Sequence, residues 1–299
     1  VGARQLALAE LGEAASRNAG IVAANVAVMT AAVDFADDIT EQTILSMHAT
    51  LLGEFDPRHA GEWRHEQVWV GGSNIGPHRA DFVAIHHTRV PAAVADLVAF
   101  TRRVDLPVLP HAAIAHAQFE TIHPFTDGNG RTGRALLHAI MHRARLARRV
   151  TVPLSAGLLT ETSRYFEALL AYHDGDVVPI VQQVNEAAFA ATSNGRRLAQ
   201  DLADVRALWA GELRARRDAA AWRLLDLMIA QPVVTTRFVS ERLGVSVPAA
   251  QNALDQLVDV GALRSAKDGK RRNRVWQADD VLVALDDFAA RAGRRSRAR

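Results

Sequence analysis

The segment from His111 to Ala147 constrains the fold most, because two helical patterns flank a loop of unusual composition. On the first helix, expected over His111–Ile122, Ala115, Phe119 and Ile122 recur at i, i+4, i+7 and form one apolar face. His123 precedes Pro124, and a residue before proline is pushed out of helical geometry, so the helix stops there. The polar, glycine-containing stretch Thr126-Asp127-Gly128-Asn129-Gly130 follows. A second helix is expected over Arg131–Ala147, with Leu136, Leu137, Ile140 and Met141 on its buried side.

Most of the chain around this unit reads as helix. Ala- and Leu-rich segments predict helices over Ala3–Ser16 and Ile21–Val33. A third is expected over Thr40–Leu52, capped by Thr40 and ended by Gly53. Residues 61–85 differ: Val68-Trp69-Val70 and Phe82-Val83-Ala84-Ile85 are β-type runs around Gly71-Gly72-Ser73-Asn74-Ile75-Gly76-Pro77, a β-hairpin signature. Helices are expected again over Pro91–Arg103, Thr160–His173 and Val177–Asn194, with Leu106–Pro110 a connector. Beyond a charged helical connector at 204–217, helices over Ala219–Ala230, Thr236–Leu243 and Val247–Val260 precede strands at Leu263–Ser265 and Arg274–Gln277 and a helix at Asp280–Ala290. Helix, helix–turn–helix and hairpin in that order outline a winged helix. The expected organisation is a mostly α domain at 1–203, the connector at 204–217, and an α/β winged-helix domain at 218–299.

Composition removes several functions. The 299 residues contain no cysteine, which excludes disulfides, Cys-ligated zinc, iron–sulfur clusters and thiol catalysis, and fits a cytoplasmic protein. The longest uncharged stretch, Asn18–Val33, falls short of the roughly 20 apolar residues a membrane span needs, so no membrane partner is expected. No His/Asp/Glu set has the spacing of a zinc-protease helix, and no Gly-x-Ser-x-Gly elbow is present. His116 reads as a structural core histidine, and His86-His87 as a solvated strand end. The abundance of alanine, and arginine in place of lysine, points to a GC-rich bacterial genome.

The chemistry gathers between His123 and Arg134. A helix N-terminus offers unpaired N–H groups and a partial positive charge. Gly128 and Gly130 let a ligand approach the backbone, and Arg131 and Arg134 lie near the first helical turn. Together these make an anion site suited to several phosphate oxygens. Asp127 sets a carboxylate beside them, and Mg²⁺ is the cation that reconciles a carboxylate with phosphates. His123 adds a group that titrates near neutrality. A histidine base, a metal carboxylate and an anion cradle suggest transfer of a phosphorus-containing group to a hydroxyl.

The segment His123-Pro124-Phe125-Thr126-Asp127-Gly128-Asn129-Gly130-Arg131-Thr132-Gly133-Arg134 resembles the signature of the Fic family, His-x-Phe-x-Asp/Glu-Gly-Asn-Gly-Arg-x-x-Arg, at every specified position. Gly61-Glu62-Trp63-Arg64, Trp69-Val70-Gly71-Gly72 and Phe82-Val83 resemble the family's approach to its flap, and the likeness covers roughly residues 20–190. The resemblance implies a Fic-type helical fold with a β-hairpin flap, and AMP transfer from ATP to a Tyr, Thr or Ser hydroxyl of a target protein. It implies that His123 is the base, that Asp127 holds Mg²⁺, and that Gly128, Asn129 and Gly130 form the anion hole. It also implies that Arg131 and Arg134 bind phosphates, that Phe125 anchors the loop, and that Tyr165 and Leu169 wall the adenine. The hairpin at Val68–Ile85 would dock the target by strand addition. A sister branch, the Doc-like toxins, phosphorylates its target and replaces the glycines kept here as Gly128 and Gly130, which favours nucleotidyl transfer. A phosphocholine-transferring relative shows that the motif alone does not set the nucleotide. The family's inhibitory pattern, Ser/Thr-x-x-x-Glu-Gly/Asn, is approached by Thr50–Phe55 and broken by Phe55, and is expected just upstream of Val1.

The C-terminal module leaves two partners open. From Arg264 to Arg299 eleven basic residues face five acidic ones, a local +6 in a chain of net charge +2. DNA is one partner, through the wing Lys267–Arg274 and the tail Arg294–Arg299, with Gln251 and Asn252 as base readers. The other is a protein, either a docked target or a second copy of the chain, because the helix Val247–Val260 carries no Arg or Lys. The competing functional class is a DNA-binding regulator whose first domain is vestigial or senses a nucleotide.

Overall fold

The computed structural model describes residues 2–11, 28–53, 56–72, 76–146, 154, 158, 162–266 and 274–292. It is mostly helical and divides into two units, one of residues 24–192 and one of residues 193–299 with the N-terminal segment 1–23. The elements are α1 (Ala3–Glu10), α2 (Glu41–Leu52), β1 (Trp69–Val70), β2 (Phe82–Val83), α3 (Val90–Thr101), α4 (Val108–Ile122), α5 (Asn129–Arg143) and α6 (Thr162–His173). They continue with α7 (Val178–Glu212), α8 (Ala220–Ala230), β3 (Val233–Thr235), α9 (Thr236–Leu243), α10 (Val247–Asp259), β4 (Arg264–Ala266), β5 (Val275–Gln277) and α11 (Asp279–Arg291).

In the unit of residues 24–192, α4 and α5 form the central helix pair. Alanines 112, 115, 135 and 139 and Gly133 let the two helices approach closely around Phe119, Leu136 and Ile140. A Cβ at Gly133 would stand 2.8 Å from Phe119 Cδ1 and 2.7 Å from Glu120 Oε1, so this position admits no side chain without displacing those of the neighbouring helix. Helix α2 starts with a reciprocal cap: Thr43 N–H donates to Thr40 Oγ1 at 3.2 Å, and Thr40 N–H donates to Thr43 Oγ1 at 2.8 Å. It buries Ile44, Met47, His48 and Leu51 beneath α5. The expected hairpin is present, with β1 antiparallel to β2 and Trp69 opposite Val83.

Several helix limits differ from the sequence expectation, and α5, expected over Arg131–Ala147, runs from Asn129 to Arg143. Helix α4 begins at Val108, because Pro110 sits in the first turn, where the N–H it lacks has no intrahelical acceptor. Helix α7 runs 35 residues to Glu212 and passes the boundary at 192/193. Ser193-Asn194-Gly195, which predict a stop near Asn194, are tolerated within it, and the expected connector is helical as far as Glu212.

The second unit follows the order α8, β3, α9, α10, β4, β5, α11, with a three-stranded antiparallel sheet ordered β3-β5-β4. Strand β3 carries too few residues for the sequence to display a two-residue period. Trp276 on β5 pairs with Val234 and Ser265, and packs with Leu224, Leu254, Leu257 and Val281. Helix α1 belongs to this unit, whereas the sequence grouped it with the first domain. Ala3, Ala7 and Leu8 pack on Val233, Val275 and Leu282, and Ala3 N–H donates to Asp286 Oδ1 at 2.9 Å. On α10 the amides expected to read bases are engaged locally. Gln251 accepts from Thr236 Oγ1 at 3.1 Å and donates to Asp255 at 2.9 Å, while Asn252 accepts from Gln256 at 2.7 Å. Residues 21–27 of the second expected helix, 73–75 of the hairpin turn, Glu54-Phe55, most of the wing (267–273) and the tail lie outside the described residues. Among the described residues no helix is long and apolar enough to cross a membrane.

Candidate active site

The loop between α4 and α5 is held from beneath by three side chains. His123 ends α4 in the left-handed region, φ 49°, with its N–H on Phe119 O at 2.9 Å. This is a costly conformation for a residue with a Cβ, and it turns the chain sharply out of the helix. Phe125 is fully buried and stacks on His48, with ring centroids 3.7 Å apart and planes 3° apart, and on Trp63 at 5.1 Å. Asn129 turns its amide inward: Oδ1 accepts from Phe125 N–H at 2.9 Å, and Nδ2 donates to Phe125 O at 2.7 Å. His48 is the third. Gly61 N–H donates to its Nδ1 at 3.0 Å, so the proton sits on Nε2 and is given to Asp127 O at 2.9 Å. Burial holds the His48 pKa below its ordinary value. Gly128, φ 81°, caps α5, and a Cβ there would stand 3.2 Å from Leu51 and 3.3 Å from His48.

The upper side of the loop faces two cavities. His123 Nδ1 lies 3.2 Å from Glu120 O, which can only accept, so Nδ1 holds the proton and Nε2 presents a lone pair. Burial pushes the His123 pKa down. The bond to the Glu120 carbonyl opposes the shift, and the Arg64 guanidinium adds to it. At neutral pH the ring is therefore an unprotonated base. Asp127 is exposed at the loop tip, where Oδ1 accepts from Gly128 N–H at 2.6 Å and Oδ2 pairs with Arg131 at 3.1 Å.

Two cavities adjoin this loop, and His123, Gly130 and Arg134 line both. The larger, about 460 Å³, is walled by Trp69 and Phe82 of the hairpin and by Tyr165 and Leu169 of α6. The smaller, about 260 Å³, is lined by Asp127, Gly128, Asn129 and Arg131. The residues expected from the sequence to serve catalysis, nucleotide and metal thus line this loop or the two cavities beside it. Asn129 differs in how it meets it: its side chain serves the loop, and any part it takes in anion binding falls to its backbone N–H. Among the described residues no three His, Asp or Glu side chains converge as a metal cage. Asp127 alone at the smaller cavity fits a Mg²⁺ ion that reaches the site on phosphate oxygens.

Three contributors are given no role by the sequence, although Arg64 lies in the Gly61–Arg64 stretch that resembles the family's approach to its flap. His48 lies 79 residues from the carbonyl it holds. Arg64 is almost wholly buried and donates to His123 O at 2.7 Å. Glu120 is buried beside Arg134, its Oε1 has no hydrogen-bond partner among the described residues, and burial pushes its carboxyl up to about 7. His116 is structural, as its place on the helix predicts: it is fully buried, its Nε2 meets Tyr165 Oη at 2.8 Å, and burial lowers its pKa to about 4.

Residues 38–141 match the Fic/DOC family. The chain is 32% identical over 155 residues to the protein adenylyltransferase Fic of Drosophila sechellia and to that of Drosophila virilis, an alignment covering 48% of this chain and 27% of each relative. The chain therefore spans about a quarter of the length of these curated relatives. A crystal structure of a Fic family protein from Desulfovibrio desulfuricans G20 superposes with a TM-score of 0.55 at 21% identity, over 92% of this chain and 80% of that one, a likeness of fold.

Proposed function

We infer, from the Fic domain that this chain carries over residues 38–141, that it transfers AMP from ATP to a hydroxyl on a protein side chain. The observation that carries this reading is the unprotonated Nε2 of His123, which faces the junction of two cavities beside the N-terminus of α5. The first-turn N–H groups of α5, with Arg131 and Arg134, bind and orient the phosphates. Mg²⁺ held by Asp127 would supply further positive charge against them. The substrate chain lies along the hairpin β1–β2 and brings a Tyr, Thr or Ser hydroxyl to His123. Nε2 takes the hydroxyl proton as the oxygen bonds to the α-phosphorus, and the bond from that phosphorus to the bridging oxygen breaks, releasing pyrophosphate. A Cβ at Gly130 would stand 3.0 Å from Arg134 Nη1, so glycine there keeps the cavity side of the loop open, while Gly128 is required by its left-handed turn; keeping both glycines supports nucleotidyl over phosphoryl transfer.

The order of elements in the second unit, helix–strand–helix–helix–strand–strand, supports reading it as a winged helix. The test of the catalytic reading is incorporation of labelled AMP into protein, compared between the wild type and His123→Ala. The variant is expected to bind Mg-ATP as the wild type does and to transfer nothing. Transfer at the wild-type rate by His123→Ala would overturn the assignment of the base.

A further inference from the structure

Among the described residues the guanidinium of Arg64 has no anionic partner, yet the side chain is almost wholly buried. It is satisfied by carbonyls from three separate stretches of chain. Nε donates to His123 O at 2.7 Å, Nη1 to Glu66 O at 2.8 Å, and Nη2 to Ile85 O at 2.6 Å and, more weakly, to Ile122 O at 3.4 Å. Its own N–H donates to Pro124 O at 3.0 Å. Glu66 leads into β1 and Ile85 leaves β2, whereas Ile122 and His123 end α4. The carbonyls at a helix C-terminus lack intrahelical donors and favour a cation, and the left-handed turn at His123 calls for a donor just there. A buried arginine with no carboxylate is expensive, and burial pushes its own pKa down. An apolar side chain would fill the volume at less cost. What it could not do is hold four oxygens at fixed angles, which a planar fork of five donors can.

We infer that Arg64 is a positioning residue that locks the hairpin β1–β2 to the His123 carbonyl, so that the surface receiving the substrate chain and the ring that deprotonates it move as one body. The inference rests on the function proposed above for the hairpin and His123. Gln67 makes the informative contrast. Its Nε2 donates to Ala84 O at 2.6 Å and Val68 O at 3.3 Å, so it staples the hairpin to itself. Arg64 spans from the hairpin to the loop.

The experiment compares the full chain carrying Arg64→Met, Arg64→Lys and Gln67→Ala by amide hydrogen exchange and by kinetics. In Arg64→Met the N–H groups of Asp81 and Ala84, which close the hairpin on Val70 O and Val68 O, and the N–H of His123 should all exchange faster by about tenfold or more. Amides of α5 should keep their protection. Gln67→Ala should loosen the hairpin amides and leave His123 unchanged. Arg64→Lys, whose ammonium reaches fewer carbonyls, should fall between. In AMP transfer, Arg64→Met should lose kcat and raise the KM for the protein substrate while its affinity for Mg-ATP stays within about twofold of wild type, because the α5 N-terminus is held by Asn129 and His48.

The pH profile separates charge from packing. His123 is faced by Arg64 and Asp127, with Arg134 across the shared cavities and the Glu120 carbonyl on Nδ1. Removing the Arg64 charge should move the acid limb of the profile to higher pH in Arg64→Met, and Arg64→Lys should restore it. Unchanged exchange at His123 in Arg64→Met would overturn the inference whether or not the chain transfers AMP. Equal losses of ATP affinity and transfer would also overturn it, by showing a general structural role. Absence of AMP transfer in the wild type would instead defeat the proposed function, and the exchange data would still decide the lock.

Discussion

Replacing Asn129 by alanine tests whether its side chain belongs to the loop or to the ligand. The amide is buried, and both of its bonds run to the backbone of Phe125, at 2.9 and 2.7 Å. Alanine removes both and leaves Phe125 N–H and C=O inside a closed turn with no partner. Each unsatisfied buried group costs about 1–3 kcal/mol, and some relief comes as the loop shifts toward water, so the expected loss is about 2–4 kcal/mol. For a unit of this size each kcal/mol lowers the midpoint by about 2–4 °C, so the transition should fall by roughly 4–16 °C. Trp63, stacked near Phe125, reports on the same packing by fluorescence. Asn129→Asp retains the acceptor but sets a carboxylate oxygen against the Phe125 carbonyl, so it should fall at least as far. The measurement is thermal unfolding of the ligand-free protein, followed by titration with Mg-ATP. If Asn129→Ala leaves the ligand-free midpoint unchanged and weakens only nucleotide binding, the side chain faces the ligand and the reasoning fails.

Glu120→Gln should change how stability depends on pH. The folded chain raises this carboxyl from 4.5 to about 7, so it binds a proton that the unfolded chain has already released. Its contribution is thus fully present below about pH 4.5 and is lost as pH rises toward 7. His116 and His138, each lowered to about 4 by burial, act in the opposite sense below pH 6.5 and are common to both proteins. The midpoint of Glu120→Gln relative to wild type should therefore rise between pH 5 and pH 8; a constant difference would refute the buried acid. If DNA rather than a protein is the partner of the C-terminal unit, binding should be steep in salt and equal on unrelated duplexes, because its basic excess suits phosphate contacts and the amides of α10 are already paired. A sequence preference that disappears in Gln251→Ala would show that those amides read bases after all.

The parts of this molecule legible in the sequence are those written in neighbouring residues. Pro124 after His123 and the glycines before Arg131 announce a helix, a loop and a helix, and the Gly71–Pro77 turn between two β-type runs announces the hairpin. What was not legible depends on residues far apart. Nothing near His48 signals that its ring carries Asp127 O from 79 positions away, and Arg64, which stands in the sequence only as part of Gly61-Glu62-Trp63-Arg64, shows its role only once its four carbonyl partners are seen. Packing against strands β3 and β5 decides where α1 sits, and its own Ala-rich composition suits either unit. Within the loop, the sequence gives a set of residues and no direction for each. Two left-handed residues, His123 and Gly128, supply the direction. Gly128 could be anticipated, since glycine is the residue that reaches this region without strain. A left-handed histidine before a proline could not, because the contacts that hold the turn, the Arg64 fork, the buried Phe125 and the Asn129 bridge, come from outside the dipeptide. The same two turns send Phe125 and Asn129 inward and leave Asp127, Arg131 and the His123 ring at the cavities. The motif is therefore two interleaved sets, one turned to the cavities and one that holds the first in place.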